Sequence, residues 1–415
     1  MPRGHWNLRD STIGALIAVD VRCLMRADPS VLQHSTKDTR ANDLVELGDG
    51  RCARLLALLG KGASSATYRA LLVSPTGLSR QVALKLFAPV ASDDAERLFT
   101  LAARTALRAA AVRHPNVVEV YEFGQWRMQP FYVTELVDGV NLAALEQRYS
   151  DRQQRLPLDL ALFIAVEVAE ALSGARTSQD HRGMQVGMLH MSLGPKKVLL
   201  GFRGEVKVVD FEASLAAGAS SSIRSMRAVA SRATSMPPEV AQGQEADARS
   251  DVFSLGVVLR ELFVGPRFPK TVSNAEALQL AREGFVQPIP FQPHLPESLV
   301  AIMTRALHVD PQDRYPNATA LAFDLRRVAL SMGVGDGRLF LRRALDREFG
   351  SDASEITTEH RGSSAAPMMK TGEGCTLRVA GDDDLAALRN LDAIEELEDV
   401  EELDEFDVRA GELDR

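Results

Sequence analysis

Cysteine is scarce in this chain. Cys23, Cys52 and Cys375 are the only three in 415 residues, and no two stand at metal-ligand spacing. That excludes a disulfide-stapled fold and a zinc ribbon, and it suits a reducing cytoplasm, where we expect the protein to reside. Aromatic residues are also few, at 6% with two tryptophans, and no basic stretch is interleaved with them. A base-stacking platform for nucleic acid is therefore not expected. No run of about twenty apolar residues occurs, so no membrane-spanning helix is expected either. The apolar run Ile13 to Val19 follows Arg3 and Arg9 in the manner of a secretion signal. It is too short for one, Asp20 and Arg22 interrupt it, and no small-residue cleavage site follows.

Hydrophobic residues make up 45% of the chain, enough for a sizeable core. The net charge of −8 conceals an asymmetry. Residues 381–415 hold 15 Asp and Glu against 3 Arg, a net of −12, which leaves +4 on everything before them. Within that tail Leu385, Leu388, Leu391, Ile394, Leu397, Val400, Leu403 and Phe406 recur at every third position, with acids between. At about 100° per residue a step of three falls short of a full turn, so these side chains spiral around a helix and form no stripe. The pattern suits either an acidic-hydrophobic segment that orders on a partner or a solubilising tail.

Short β-type runs dominate from Arg51: Leu55 to Leu59, Ala66 to Val73, Val82 to Phe87, Val117 to Phe123 and Pro130 to Leu136. One long helical pattern, Asp93 to Arg113, interrupts them. Beyond Gly139 the patterns are helical: Leu158 to Ser173, Asp251 to Phe263, Asn274 to Gly284, Glu297 to Leu307 and Ala318 to Ser331. A strand-rich part followed by a helix-rich part predicts an α+β chain with two lobes. The expected organisation is a partly disordered leader (1–50), a small lobe (51–138), a large lobe (139–331), a terminal helix (332–350), a linker (351–380) and the acidic tail (381–415).

Seven motifs follow one another in this frame. Leu59-Gly60-Lys61-Gly62 lies between two strands, where closely spaced glycines let backbone approach phosphate. Twenty-five residues after Gly60, Val82-Ala83-Leu84-Lys85 puts a lysine on a strand. Next come His114-Pro115-Asn116, then the loop His190-Met191-Ser192-Leu193-Gly194-Pro195-Lys196-Lys197 with Asp210-Phe211-Glu212 behind it. Pro237-Pro238-Glu239, Asp251-Val252-Phe253-Ser254-Leu255-Gly256 and Asp310-Pro311-Gln312-Asp313-Arg314 complete the set.

In order and spacing these motifs resemble the eukaryotic-like Ser/Thr protein kinases of bacteria, over about residues 52–330. The resemblance implies a bilobal kinase-like fold with a nucleotide cleft between the lobes. It implies that Gly60, Gly62 and Lys85 face the phosphates of ATP. Glu135 and Val137 would offer hinge backbone to adenine, with Thr134 as gatekeeper and with Ala83 and Leu199 sandwiching the ring. Asp210 would hold a single Mg²⁺ at most. Glu239 would pair with Arg314, and Asp251 would hold the catalytic-loop backbone.

The same resemblance exposes substitutions. Ser192 stands at the place of the catalytic Asp, and a hydroxyl is a very poor base near neutral pH. Lys197 replaces the Asn that holds the second metal ion, and Met191 replaces the loop arginine. Thr105 stands where a helix Glu would pair with Lys85. Glu212 replaces the Gly of Asp-Phe-Gly. The stretch Ala213 to Met236 carries eight Ser and Thr, three Arg and no acid, which reads either as a target of another kinase or as a polar loop.

Three readings follow. One is a pseudokinase: a scaffold or allosteric regulator, ATP-bound or nucleotide-free, whose partners are proteins such as another kinase or its substrates. The second is an active Ser/Thr kinase with non-standard residues, because phosphoryl transfer relies mostly on positioning and electrostatics. The third is an adaptor whose kinase-like body is only a platform for the tail.

Overall fold

The computed structural model describes residues 43–62, 65–88, 95–127, 129–180, 182–211, 233–269 and 271–358. The expectations for the leader up to residue 42, for Glu212 and most of the stretch after it, and for the linker and tail beyond Thr358 lie outside the described residues.

The small lobe is a six-stranded antiparallel sheet: β1 (Leu44–Gly48), β2 (Arg51–Lys61), β3 (Ser65–Val73), β4 (Ser79–Phe87), β5 (Val120–Trp126) and β6 (Gln129–Thr134). Their order is β1-β2-β3-β4-β6-β5. Side chains alternate across a strand, so β4 sends Val82, Leu84 and Leu86 into the core and turns Ala83 and Lys85 to the opposite face. Val45, Leu55, Ala70, Phe131 and Val133 complete that core. The sheet curls until β1 lies against β5. Arg51 fastens the curl by donating to Glu122 on β5 at 2.9 and 3.3 Å.

The helix α1 (Ala95–Ala111) crosses the sheet. Its Phe99 packs on Phe123 with ring centroids 5.1 Å apart, and the Tyr132 hydroxyl donates to the Ala102 carbonyl at 3.1 Å. Tyr132 and its neighbours Phe131 and Val133 are thus buried on both faces of β6, as a central strand covered by a helix should be.

The large lobe comprises β7 (Gly139–Asn141), α2 (Leu142–Asp151), α3 (Leu158–Thr177), β8 (Val198–Gly201), β9 (Val206–Val208), α4 (Pro238–Ala241), α5 (Ala248–Phe263), α6 (Asn274–Arg282), α7 (Glu297–Ala306), α8 (Ala318–Ser331) and α9 (Gly337–Thr358). The helix α5 is buried along nearly its whole length, including its polar Ser250, Asp251, Ser254 and Arg260. Asp247 and Ser250 form a reciprocal capping box at its start. Around it α3, α7 and α8 close a core that also takes in α9 through Leu341, Leu345 and Phe349. The strands β7, β8 and β9 form a small sheet at the cleft side.

Several boundaries differ from expectation. The strand β1 lies inside the segment read as leader: Val45 fills a core position and Leu47 packs beside it, in a five-residue run directly after a polar stretch. β5 begins at Val120 and not Val117. Residues 116–118 are used otherwise: the Val118 N–H donates to the Val208 carbonyl at 3.0 Å, and the Val208 N–H donates to the Asn116 carbonyl at 2.7 Å. The terminal helix starts at Gly337 and runs to Thr358, into the expected linker. The helix α2 was not anticipated. A bound between the lobes is made by His114, whose ring occupies the space above Gly174 of α3, where a Cβ would lie 2.4 Å from it.

Candidate functional site

The cleft residues are positioned by these elements. β4 presents Lys85, and the turn after β9 presents Asp210. A short 3₁₀ turn, Pro195–Lys197, presents Lys197. The three converge. Lys85 Nζ donates to Asp210 Oδ1 at 2.7 Å, and Lys197 Nζ contacts Asp210 Oδ2. Both carboxylate oxygens of Asp210 are therefore held by ammonium groups, one from each lobe. With Thr105 in place of the helix Glu, Lys85 could keep a carboxylate only if Asp210 or another acid took over, and Asp210 is the partner it has here. Thr105 lies buried on α1.

Asp210 sits in the left-handed region at φ +67°, which Asp tolerates better than most residues. Its Phe211 neighbour then turns into the core, 4.8 Å from the His190 ring. Met191 also adopts a positive φ, +61°, where a long side chain gains nothing. What holds it there is Asp251 at the start of α5. That carboxylate accepts the His190 N–H at 2.7 Å and the Met191 N–H at 2.9 Å. Burial pushes the Asp251 carboxyl up to about 6, although the two N–H donors oppose that rise. His190 is fully buried, with Nε2 3.0 Å from the Val209 carbonyl. Ser192, at 8% exposure, directs its N–H to His190 Nδ1 at 3.3 Å. The loop backbone is thus braced from both sides, with Ser192 buried within it.

At the hinge, Thr134 ends β6 in register with Ala83. The Glu135 N–H donates to the Glu119 carbonyl at 2.9 Å, and its carboxylate pairs with Lys207 of β9 at 2.7 Å. Val137 is half-buried just beyond. Leu199 on β8 is half-buried between Asn141 and Lys207. In the glycine segment, Gly60 pairs with Thr67, and the Gly62 N–H donates to the Ser65 carbonyl at 2.7 Å.

Away from the cleft, Arg314 donates to both oxygens of Glu239 at 2.8 and 2.9 Å, with Ser250 Oγ a further donor at 2.8 Å. Burial pushes the Glu239 carboxyl up, but the Arg314 bonds and charge outweigh it and hold the group below the ordinary range. Sequence reasoning did not anticipate Arg267. It is 1% exposed and lies against the Phe253 and Phe268 rings. It donates to the carbonyls of Phe285 at 2.9 Å and Met236 at 2.8 Å. An arginine inside the apolar run Phe263 to Phe268 was the available signal. Glu146 on α2 and Glu261 on α5 were also missed. Burial, then their mutual charge, pushes Glu146 up to about 8; burial alone raises Glu261 to about 7, against the pull of Arg260. Glu261 belongs to a run that reads as plain helix, and Glu146 to a helix the sequence reading did not anticipate.

A curled sheet with one crossing helix, a helical lobe built on a buried central helix, and a lysine–aspartate pair between them define a protein-kinase fold. The family model described as protein tyrosine and serine/threonine kinase matches residues 53–325, and the chain belongs to that family. Among relatives, it is 28% identical over 301 residues to a tyrosine-protein kinase MasK of Myxococcus xanthus, covering 72% of this chain and 46% of that one. It is 31% identical over 299 residues to the serine/threonine-protein kinase PknB of Mycobacterium leprae, covering 71% and 44%. The chain thus spans less than half the length of these curated relatives. Among solved structures, the PknI kinase domain of Mycobacterium tuberculosis superposes with a TM-score of 0.50 at 25% identity, covering 70% of this chain and 99% of that one. These relatives place the chain with bacterial Ser/Thr kinases. Kinases of this family use ATP and Mg²⁺ in general, and they act on protein substrates. Among the described residues no helix is long and apolar enough to cross a membrane.

Proposed function

We propose that this chain is a pseudokinase: a kinase-fold signalling module that binds nucleotide in its cleft and acts through protein partners without efficient phosphoryl transfer. The observation that carries this reading is the catalytic loop. Asp251, His190 and Val209 hold its backbone in place, yet in this reading Ser192 takes the position that must accept the proton, and Lys197, five residues on, is already committed to Asp210. General-base and positioning effects contribute roughly 10²–10⁴-fold in rate, so their joint loss leaves little turnover.

Support for a retained nucleotide pocket comes from Gly60. A Cβ there would meet no atom within 4 Å, so packing does not demand glycine, whereas close approach of a phosphate would. Ala83, Lys85, Glu135, Val137 and Leu199 line the same cleft in this reading. The second reading, a kinase with non-standard residues, is favoured by the intact Lys85–Asp210 pair. Incorporation of radiolabelled phosphate from ATP at high protein concentration separates the two. We expect none above the level of Lys85→Met; incorporation that Lys85→Met abolishes would establish the enzyme.

A further inference from the structure

Mg²⁺ is the ion this family recruits to its nucleotide, and the residues present here do not suit it. The ion requires near-octahedral oxygen coordination and gives up its waters reluctantly. Asp210, the carboxylate the resemblance assigns to the ion, has Oδ1 on Lys85 and Oδ2 on Lys197. An ion on either oxygen must displace an ammonium group and then sit beside it. Lys197 occupies the place of the second metal ligand, so the repulsion falls on both ion positions. Among the described residues no group of three His, Cys, Asp or Glu side chains gathers anywhere as a metal site.

The same three side chains suit a different ligand. Together they carry a net charge of +1, and the two ammonium groups reach toward one point from opposite lobes, Lys85 from β4 and Lys197 from the 3₁₀ turn. Lysine is a compact, strongly hydrated point charge on a flexible stem, able to follow phosphate oxygens. Lys85 is 15% and Lys197 34% exposed, so both can be reached from the cleft while remaining partly desolvated. Asp210 between them acts as a spacer that keeps two cations together when no ligand is bound.

From this geometry we infer that the cleft binds a nucleoside triphosphate without a divalent cation, Lys197 taking the ion's place, and that Mg²⁺ weakens binding. The inference rests on the nucleotide-binding part of the proposed function. In it Lys85 and Lys197 shift from Asp210 onto the phosphates when ligand enters. Added Mg²⁺ competes for those phosphate oxygens and brings a second positive charge against Lys197. Asp210 becomes dispensable for affinity, the reverse of its role as a metal ligand.

The test is ATP titration by calorimetry on the full chain, in EDTA and in excess Mg²⁺. The inference expects binding in EDTA and weaker binding in Mg²⁺. Lys197→Met should lower metal-free affinity about ten- to hundredfold, the range for loss of a charged hydrogen bond. Lys197→Asn should reverse the sign, so that Mg²⁺ strengthens binding. Asp210→Asn should keep or tighten metal-free binding. Melting curves in the absence of ligand show whether each variant is folded, and Asp210→Asn serves if either Lys197 variant is not. ATP binding that requires Mg²⁺ in the wild type, or that Asp210→Asn abolishes, would overturn the inference and leave the pseudokinase reading standing. No ATP binding in either buffer would overturn it as well, and would favour a nucleotide-free scaffold. Phosphate incorporation into protein would instead sink the pseudokinase reading, with the metal dependence of binding still deciding this one.

Discussion

Replacing Arg314 with Met tests whether the retained half of the kinase pattern is what stabilises the body. Arg314 is completely buried, and Glu239 is 8% exposed. Removing the guanidinium deletes both bonds to Glu239 and leaves a buried carboxylate with Ser250 as its side-chain donor. Breaking a buried pair in this way costs about 3–5 kcal/mol, because the remaining charge is uncompensated. For a body of this size that lowers Tm by about 5–8 °C. The double variant Arg314→Met with Glu239→Gln removes the stranded charge and should recover about half of the loss. A pH dependence marks the cause. In the wild type the depressed Glu239 carboxyl contributes stability that is present above its unfolded range and lost as pH falls. Without Arg314, burial is opposed only by the Glu239 backbone N–H and Ser250 and the carboxyl rises, so protonation relieves the strain and the variant's deficit shrinks toward pH 5. Calorimetric melts at pH 8 and pH 5 measure both effects. A deficit below about 1 kcal/mol, or one that does not change with pH, would refute the argument.

Other consequences are equally open to measurement. Ser192→Asp should not restore robust phosphorylation in a radiolabel assay, because Lys197 and Thr105 remain; vigorous activity would show that those two positions matter less than argued. The raised carboxyls of Glu146 and Glu261 mean that folding takes up protons. Their contribution to stability is fully present below the unfolded value of 4.5 and is lost as pH rises through about 7 and 8. Glu146→Gln should therefore be more stable than wild type by about 1–2 kcal/mol at pH 8.5, discounted for partial exposure, with the difference shrinking as pH falls and vanishing only below the unfolded value of 4.5. Arg267→Lys should destabilise by about 2–4 kcal/mol, because an ammonium cannot match the planar fork that reaches Phe285 and Met236. Amide exchange at residues 234–236 should accelerate beyond the general loss of protection.

The two-lobed fold was legible because its motifs are local in sequence. Alternation in Val82 to Phe87 places Lys85 on the face away from the core, and one strand suffices to say so. The Glu239–Arg314 pair and the Asp251 brace were legible through resemblance, since each partner lies in its own short motif. The double clamp on Asp210 was not. Lys85 and Lys197 are far apart in the chain, and only the folded cleft shows that they meet on the two oxygens of one carboxylate. β1 was hidden because a five-residue run directly after a polar stretch shows too little alternation to read as a strand. β5 was misplaced because residues 116–118 have strand-like composition but pair with β9. Arg267 and Glu146 escaped for a shared reason: the burial of a charged residue is a property of packing, and a helix or turn pattern does not display it.

The central claim is that the kinase shape is kept while its chemistry has been given up. Intact-protein mass spectrometry after prolonged incubation with ATP and Mg²⁺, alone and with candidate protein partners, addresses it most directly. The account predicts an unchanged mass for the chain and its partners, identical for wild type and Lys85→Met. Addition of a phosphoryl group by the wild type, absent with Lys85→Met, would contradict it.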